Sequence, residues 1–212
     1  MPATLMVALR TLREHLGPAT WAFAVFACGF VLAFPVVRYN VRSLLAFPRW
    51  LLRLARKYLR PELSPVLLCS FIFLFNTGAI FLYMMSGGLV VLPIVFDLFT
   101  GLNVAAVMLK DAEDAEDPRK PEPAPDDPRK PRAWVGFLSL FVIVVELGSF
   151  WLAIGMGMKL GHVMRDHFAW ETFVRAAEPR ALAYVVVLVP ALFLSAMAET
   201  AAIKAMLAGE QT

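Results

Sequence analysis

Three carboxylates, Asp97, Glu146 and Glu199, and two amides, Asn76 and Asn103, stand inside runs of sequence that are otherwise apolar. A carboxylate in such a run has three uses: it can bind a cation, relay a proton, or hydrogen-bond a polar group on a neighbouring helix. An ionised side chain at the centre of a bilayer costs at least about 2.5–3.5 kcal/mol even on insertion scales. These five residues are therefore expected to form an intramembrane polar cluster facing a protein interior or a wet cavity. Other chemistries lack their residues. His15, His162 and His167 all lie outside the apolar runs, and no Cys/His spacing suits zinc. No GxSxG, HExxH or phosphate-loop motif occurs. Neither enzymatic activity nor a metal or cofactor is expected.

The elements that must hold these residues are membrane helices. The 212-residue chain is 59% hydrophobic, against about 45–50% for a soluble domain, and its mean hydropathy is +0.67. The surplus is gathered into runs at 20–37, 63–85, 89–109, 133–158 and 181–207, and about 20 apolar residues suffice to cross a bilayer. The expected fold class is all-α, a polytopic bundle of about five transmembrane helices with amphipathic helices at its surfaces. Residues 1–19 form an N-terminal amphipathic segment, with Leu5, Leu9, Leu12 and Leu16 on one stripe. Residues 110–132 are charged and proline-rich, contain DPRKP twice, and are expected to form a disordered loop. Between the last two spans a polar connector, 159–180, is expected to hold a short helix with Val163, His167, Trp170 and Val174 on one face.

The net charge of +3 conceals a local concentration. Basic residues crowd the stretch from Arg38 to Arg60, interleaved with leucines and aromatics. Pro48 suits the first position of a helix, so 48–60 reads as an interfacial helix whose Arg49, Arg53, Arg56, Lys57 and Arg60 meet anionic lipid headgroups. Nucleic acid is not an expected partner, because no basic fold is available to hold it. Basic residues favour the side of the 1–2 and 3–4 connectors. The positive-inside rule then predicts a cell-membrane protein with its N-terminus outside and its C-terminus in the cytoplasm.

With that orientation, a rise of 1.5 Å per residue puts Asn76 and Glu146 each about 20 Å from the cytoplasmic ends of their spans. Asp97 falls near the same level, with Asn103 and Glu199 lower. Two uses of such layers remain open: hydrogen bonding between helices, or a path for an ion or solute. Glycines at 78, 87, 88, 101, 148, 155, 157 and 161 suit close helix packing.

Three segments carry a likeness to a known family: FLFNTGAIFLYMMSGG (73–88), FVIVVELGSFWLAIGMGMKLG (141–161) and SAMAETAAIKAML (195–207). In their order and content they resemble the stage II sporulation protein M family of integral membrane proteins. Asn76, Gly101, Glu146, Gly161 and Glu199 fall on family-type positions. The chain departs from the pattern where a His-Gly pair commonly precedes the Glu, at residues 141–145, and where Thr77 replaces a second Asn. The resemblance implies a non-enzymatic membrane scaffold or complex subunit, in some members tied to cell-envelope remodelling, whose partners are other membrane proteins or further copies of itself. The alternative is a transporter or permease-like subunit using the buried carboxylates.

Overall fold

The computed structural model describes residues 3–58, 63–89, 91–115, 133–165 and 169–209. Among these residues every regular element is helical, and five stretches are long and apolar enough to cross a bilayer. The chain is an all-α, multi-pass membrane bundle. Helix α1 (Ala3–Glu14) leads into α2 (Leu16–Arg38), the first span, and α3 (Arg42–Tyr58) follows it. Helices α4 (Pro65–Met85) and α5 (Leu92–Ala115) form a hairpin through a 3₁₀ turn at Ser86–Leu89. The fourth span lies in α6 (Ala133–Met164). Helix α7 (Trp170–Ala183), a π segment (Tyr184–Leu188) and α8 (Val189–Gly209) run on from one another and contain the fifth.

Local chemistry sets the boundaries. At Asn40 the chain turns out of α2 with φ 49°, a left-handed conformation that asparagine tolerates better than most residues. The Val41 amide there donates to the Val36 carbonyl, closing the helix end. Ser64 caps α4, its hydroxyl accepting from the Leu67 amide at 3.2 Å, and Pro65 takes the first helical position. The π segment precedes Pro190, whose missing N–H and bulky ring disturb the turn before it.

Three boundaries differ from the sequence expectation. Helix α3 begins at Arg42, so Pro48 lies inside the helix rather than opening it. Helix α5 continues to Ala115, so the first residues of the expected 110–132 loop are helical, while 116–132 lie outside the described residues. Helix α6 runs to Met164, and α7 starts at Trp170 and joins the fifth span. The expected 22-residue connector shrinks to a few residues because α1 and α7 pack on one another and extend the bundle beyond the apolar spans.

Helix α6 sits at the centre, packed on α2, α4 and α8, while α2 makes its most extensive contact with α5. That contact is a backbone-to-backbone crossing. A Cβ at Gly29 would collide with the Leu98 carbonyl, and one at Gly101 with the Phe26 carbonyl. Ala33, Ala105 and Ala106 continue the seam, and Leu45 of α3 packs on its end. A second close approach joins the hairpin turn to α6, where Gly87 lies against the Gly157 carbonyl.

Helix α1 packs on α7 and the π segment, but not through its whole leucine stripe. Ala8, Thr11 and His15 are buried, whereas Leu9 and Leu16 are exposed. On α7, Phe173, Ala177 and Arg180 are buried and Trp170 and Val174 exposed. Apolar side chains lose nothing by facing lipid, so small and polar residues can share the contact with Phe173 while larger ones turn outward.

The glycine crossing gives a prediction of opposite signs. Gly29→Ala and Gly101→Ala are each expected to lower stability by about 1–3 kcal/mol, the usual cost of overpacking. Gly148→Ala, whose Cβ would meet nothing within 4 Å, is expected to raise it by about 0.5–1 kcal/mol through helix propensity. Unfolding by SDS titration in mixed micelles measures all three.

Candidate functional site: a three-helix carboxylate hub

Glu146 stands near the middle of α6, where α4 and α8 flank it. Its Oε1 accepts two hydrogen bonds, one from Asn76 Nδ2 of α4 at 2.6 Å and one from Ser195 Oγ of α8 at 3.2 Å. One carboxylate oxygen therefore ties three spans together. The Tyr184 hydroxyl reinforces the same seam, donating at 2.7 Å to the Thr77 carbonyl one residue beyond Asn76. Ser195 is fully buried. Apolar side chains close the seam on both sides: Ile80, Met84, Ala153, Met156, Leu188 and Leu192 towards the α1 end, and Leu68, Ile72 and Ala196 towards the α3 end.

Glu199 lies one turn beyond Ser195 on the same face of α8, half-buried and within electrostatic reach of Glu146. Further along, Lys204 Nζ donates to the Leu63 carbonyl at 2.6 Å, fastening the end of α8 to the start of α4. An open groove of about 640 Å³ runs between α4 and α8 beside these residues, lined by Phe73, Leu74, Phe193 and Met197 and, at its polar end, Thr200 and Lys204.

The other two members of the expected cluster sit elsewhere. Asp97 and Asn103 belong to α5, whose main contact is with α2. Asp97 is fully buried, and neither of its oxygens has a hydrogen-bond partner among the described residues. Asn103 is half-buried, and its Oδ1 is likewise without a partner. The nearest polar link between the hairpin helices is Tyr83 OH to Thr100 Oγ1 at 3.3 Å. The five residues thus divide into a connected set, Asn76 and Glu146 with Glu199 beside them, and a separate pair on α5.

Of the expected headgroup contacts, Arg49 is exposed and donates from Nη2 to Asn40 Oδ1 at 2.7 Å, and Arg53 is exposed on the next turn. The side chains of Arg56 and Lys57 and the whole of Arg60 lie outside the described residues.

Sequence reading did not single out Ser195, Tyr184, His15 or Arg180. Ser195 precedes Glu199 by one helical turn, a spacing that marks a shared polar face. His15 and Arg180 gave no such signal, since they come together only through the packing of α1 on α7. His15 is buried, and burial is the main cause that lowers its pKa, with Arg180 and Lys159 adding repulsion. Among the described residues no group of three or more His, Cys, Asp or Glu is placed to hold a metal.

Fold and site together define a multi-pass helical membrane protein with a hydrogen-bonded carboxylate at its centre. No protein-family model, curated protein or solved structure matches the chain.

A double-mutant cycle on Asn76→Ala and Glu146→Ala is expected to give a coupling of about 1 kcal/mol, the usual size for hydrogen bonds between membrane helices. The same unfolding assay reads it. Asp97→Leu is expected to act in the opposite direction and to stabilise by about 1–3 kcal/mol, because it removes buried acceptors that have no donor.

Proposed function

We propose that the protein is a non-enzymatic scaffold or subunit of a membrane protein complex in the cell membrane. The observation that carries this reading is the double hydrogen bond on Glu146 Oε1, donated by Asn76 of α4 and Ser195 of α8. Those donors use the carboxylate to hold three helices in fixed register. A bundle so fixed offers partners a rigid lipid-facing surface. The resemblance of segments 73–88, 141–161 and 195–207 to the stage II sporulation protein M family supports a place in a cell-envelope assembly, with other membrane proteins or further copies as partners. The exposed Arg49 and Arg53 on α3 support contact with anionic headgroups. The basic bias at the α3 end supports the orientation with that end in the cytoplasm.

A second reading, a permease-like subunit, draws on one specific observation: Glu199 lies half-buried within electrostatic reach of Glu146 and directly precedes Thr200, which lines the groove between α4 and α8. The two readings separate at residue 146. A glutamine keeps an oxygen that Asn76 and Ser195 can reach, but carries no charge; a leucine removes both. The scaffold reading expects Glu146→Gln to retain co-purifying membrane proteins after gentle detergent extraction and Glu146→Leu to lose them, with no solute flux in proteoliposomes from any variant. Flux in the wild type that Glu146→Gln abolishes would refute the scaffold.

A further inference from the structure

The packing of α1 on α7 brings three basic side chains together at one end of the bundle, away from the Glu146 hub. His15 follows α1, Lys159 lies near the end of α6, and Arg180 lies in α7. His15 and Arg180 are 3% and 8% exposed, which for an arginine demands an explanation. Lys159 is half-buried and donates from Nζ to the Glu14 carbonyl at 2.8 Å, which places its ammonium at the terminus of α1. Both Arg180 and Lys159 are close enough to act on the charge of His15.

The polar atoms of this cluster are incompletely used. His15 Nδ1 donates to the Thr11 carbonyl at 2.6 Å, so Nε2 is the free ring nitrogen, and it has no partner. Arg180 donates from Nη1 to the Ala176 carbonyl of its own helix, and its Nε–H has none either. The acid that acts on both of them is Glu14, whose carboxylate forms an exposed ion pair with Arg10 at 3.0 Å. Among the described residues no carboxylate forms a salt bridge with Arg180. A buried guanidinium short of an acceptor, beside an imidazole nitrogen that turns donor when the ring is protonated and joined by an ammonium, has the chemistry of an oxyanion site.

Helix lengths give its height. About 36 Å of helix separates Arg180 from Lys204, about 38 Å separates Lys159 from Trp134, and about 35 Å separates His15 from Arg38. Each exceeds a hydrocarbon core about 30 Å thick. The three basic side chains therefore share the level of the headgroups on the α1 side.

We propose that His15, Lys159 and Arg180 form a binding site for a phosphate-class oxyanion beneath α1. One oxygen would accept from Arg180 Nε–H and from His15 Nε2–H once the imidazole is protonated, and Lys159 would neutralise a second. The phosphate of a lipid headgroup and a free phosphate ion share this chemistry.

The test uses the full-length protein in a zwitterionic detergent. Its thermal unfolding midpoint is followed while either inorganic phosphate or short-chain phosphatidylglycerol is added, with equal ionic strength kept by chloride. The wild type is expected to rise with at least one of them. A rise with both marks a site open to the free ion; a rise with the lipid alone marks a headgroup site. Lys159→Gln and Arg180→Gln are each expected to weaken the apparent affinity by about tenfold or more, the scale of one charged hydrogen bond. Lys159 is half-buried and at a helix end, so its variant reports even if Arg180→Gln fails to fold. A wild type that responds to neither ligand, or a Lys159→Gln protein that responds as the wild type does, overturns the proposal. A ¹⁵N-histidine NMR signal from His15 that titrates at higher pH in the presence of ligand is the result expected from an anion at Nε2; a titration that the ligand leaves unmoved overturns the assignment of His15 to the site.

Discussion

Lipid tails are as apolar as leucine, so these helices gain no solvent-driven reward for touching one another. What holds them is close backbone approach and hydrogen bonding, and the two act at different seams. Between α2 and α5 the seam is a close backbone approach: Gly29 and Gly101 let the backbones meet, and alanines extend the contact. Between α4, α6 and α8 the seam is polar, and Glu146 Oε1 is its common acceptor. Helix α6 packs on both α2 and α4 as well as α8, so the position of the whole bundle is referred to it. Aromatic edges strengthen the join on the α2 side, where Phe23 and Phe26 meet Trp151 at 4.9 and 5.7 Å between ring centroids.

The same constraint reverses the usual reading of amphipathic helices. In water the apolar stripe turns inward, because exposure there is costly. At the ends of this bundle Leu9 of α1, Leu16 at the start of α2, and Trp170 and Val174 of α7 face outward, and Ala8, Thr11, His15 and Arg180 face in beside Phe173. Polar groups gathered in this way are either paired, as Glu146 is, or left with unfilled positions, as Asp97, His15 and Arg180 are. An unfilled buried position is expensive, which makes these three the places where the bundle most needs either an uncharged form or a ligand.

Much of the architecture was legible because bilayer thickness acts directly on the length of an apolar run. All five spans, the short hairpin turn at Ser86–Leu89 and a helical segment before the first span follow from that rule and from turn residues. The helix ends were less legible. Nothing local told Arg42 rather than Pro48 to open α3, and nothing in Lys159–Met164 announced that α6 would continue, since charged residues extend a helix readily once a neighbour packs on it.

The sequence by itself determined that the chain is a membrane bundle and that Asn76, Asp97, Asn103, Glu146 and Glu199 would be its costly residues, because composition and length alone fix what a hydrocarbon layer will accept. Only the tertiary structure decided that Ser195 shares Glu146 with Asn76, that Asp97 and Asn103 stand apart on α5, and that His15, Lys159 and Arg180 meet under α1. Those outcomes depend on the rotation and pairing of helices. In lipid these are set by a few glycines and hydrogen bonds between residues far apart in the chain, which leave no periodic trace in any one segment.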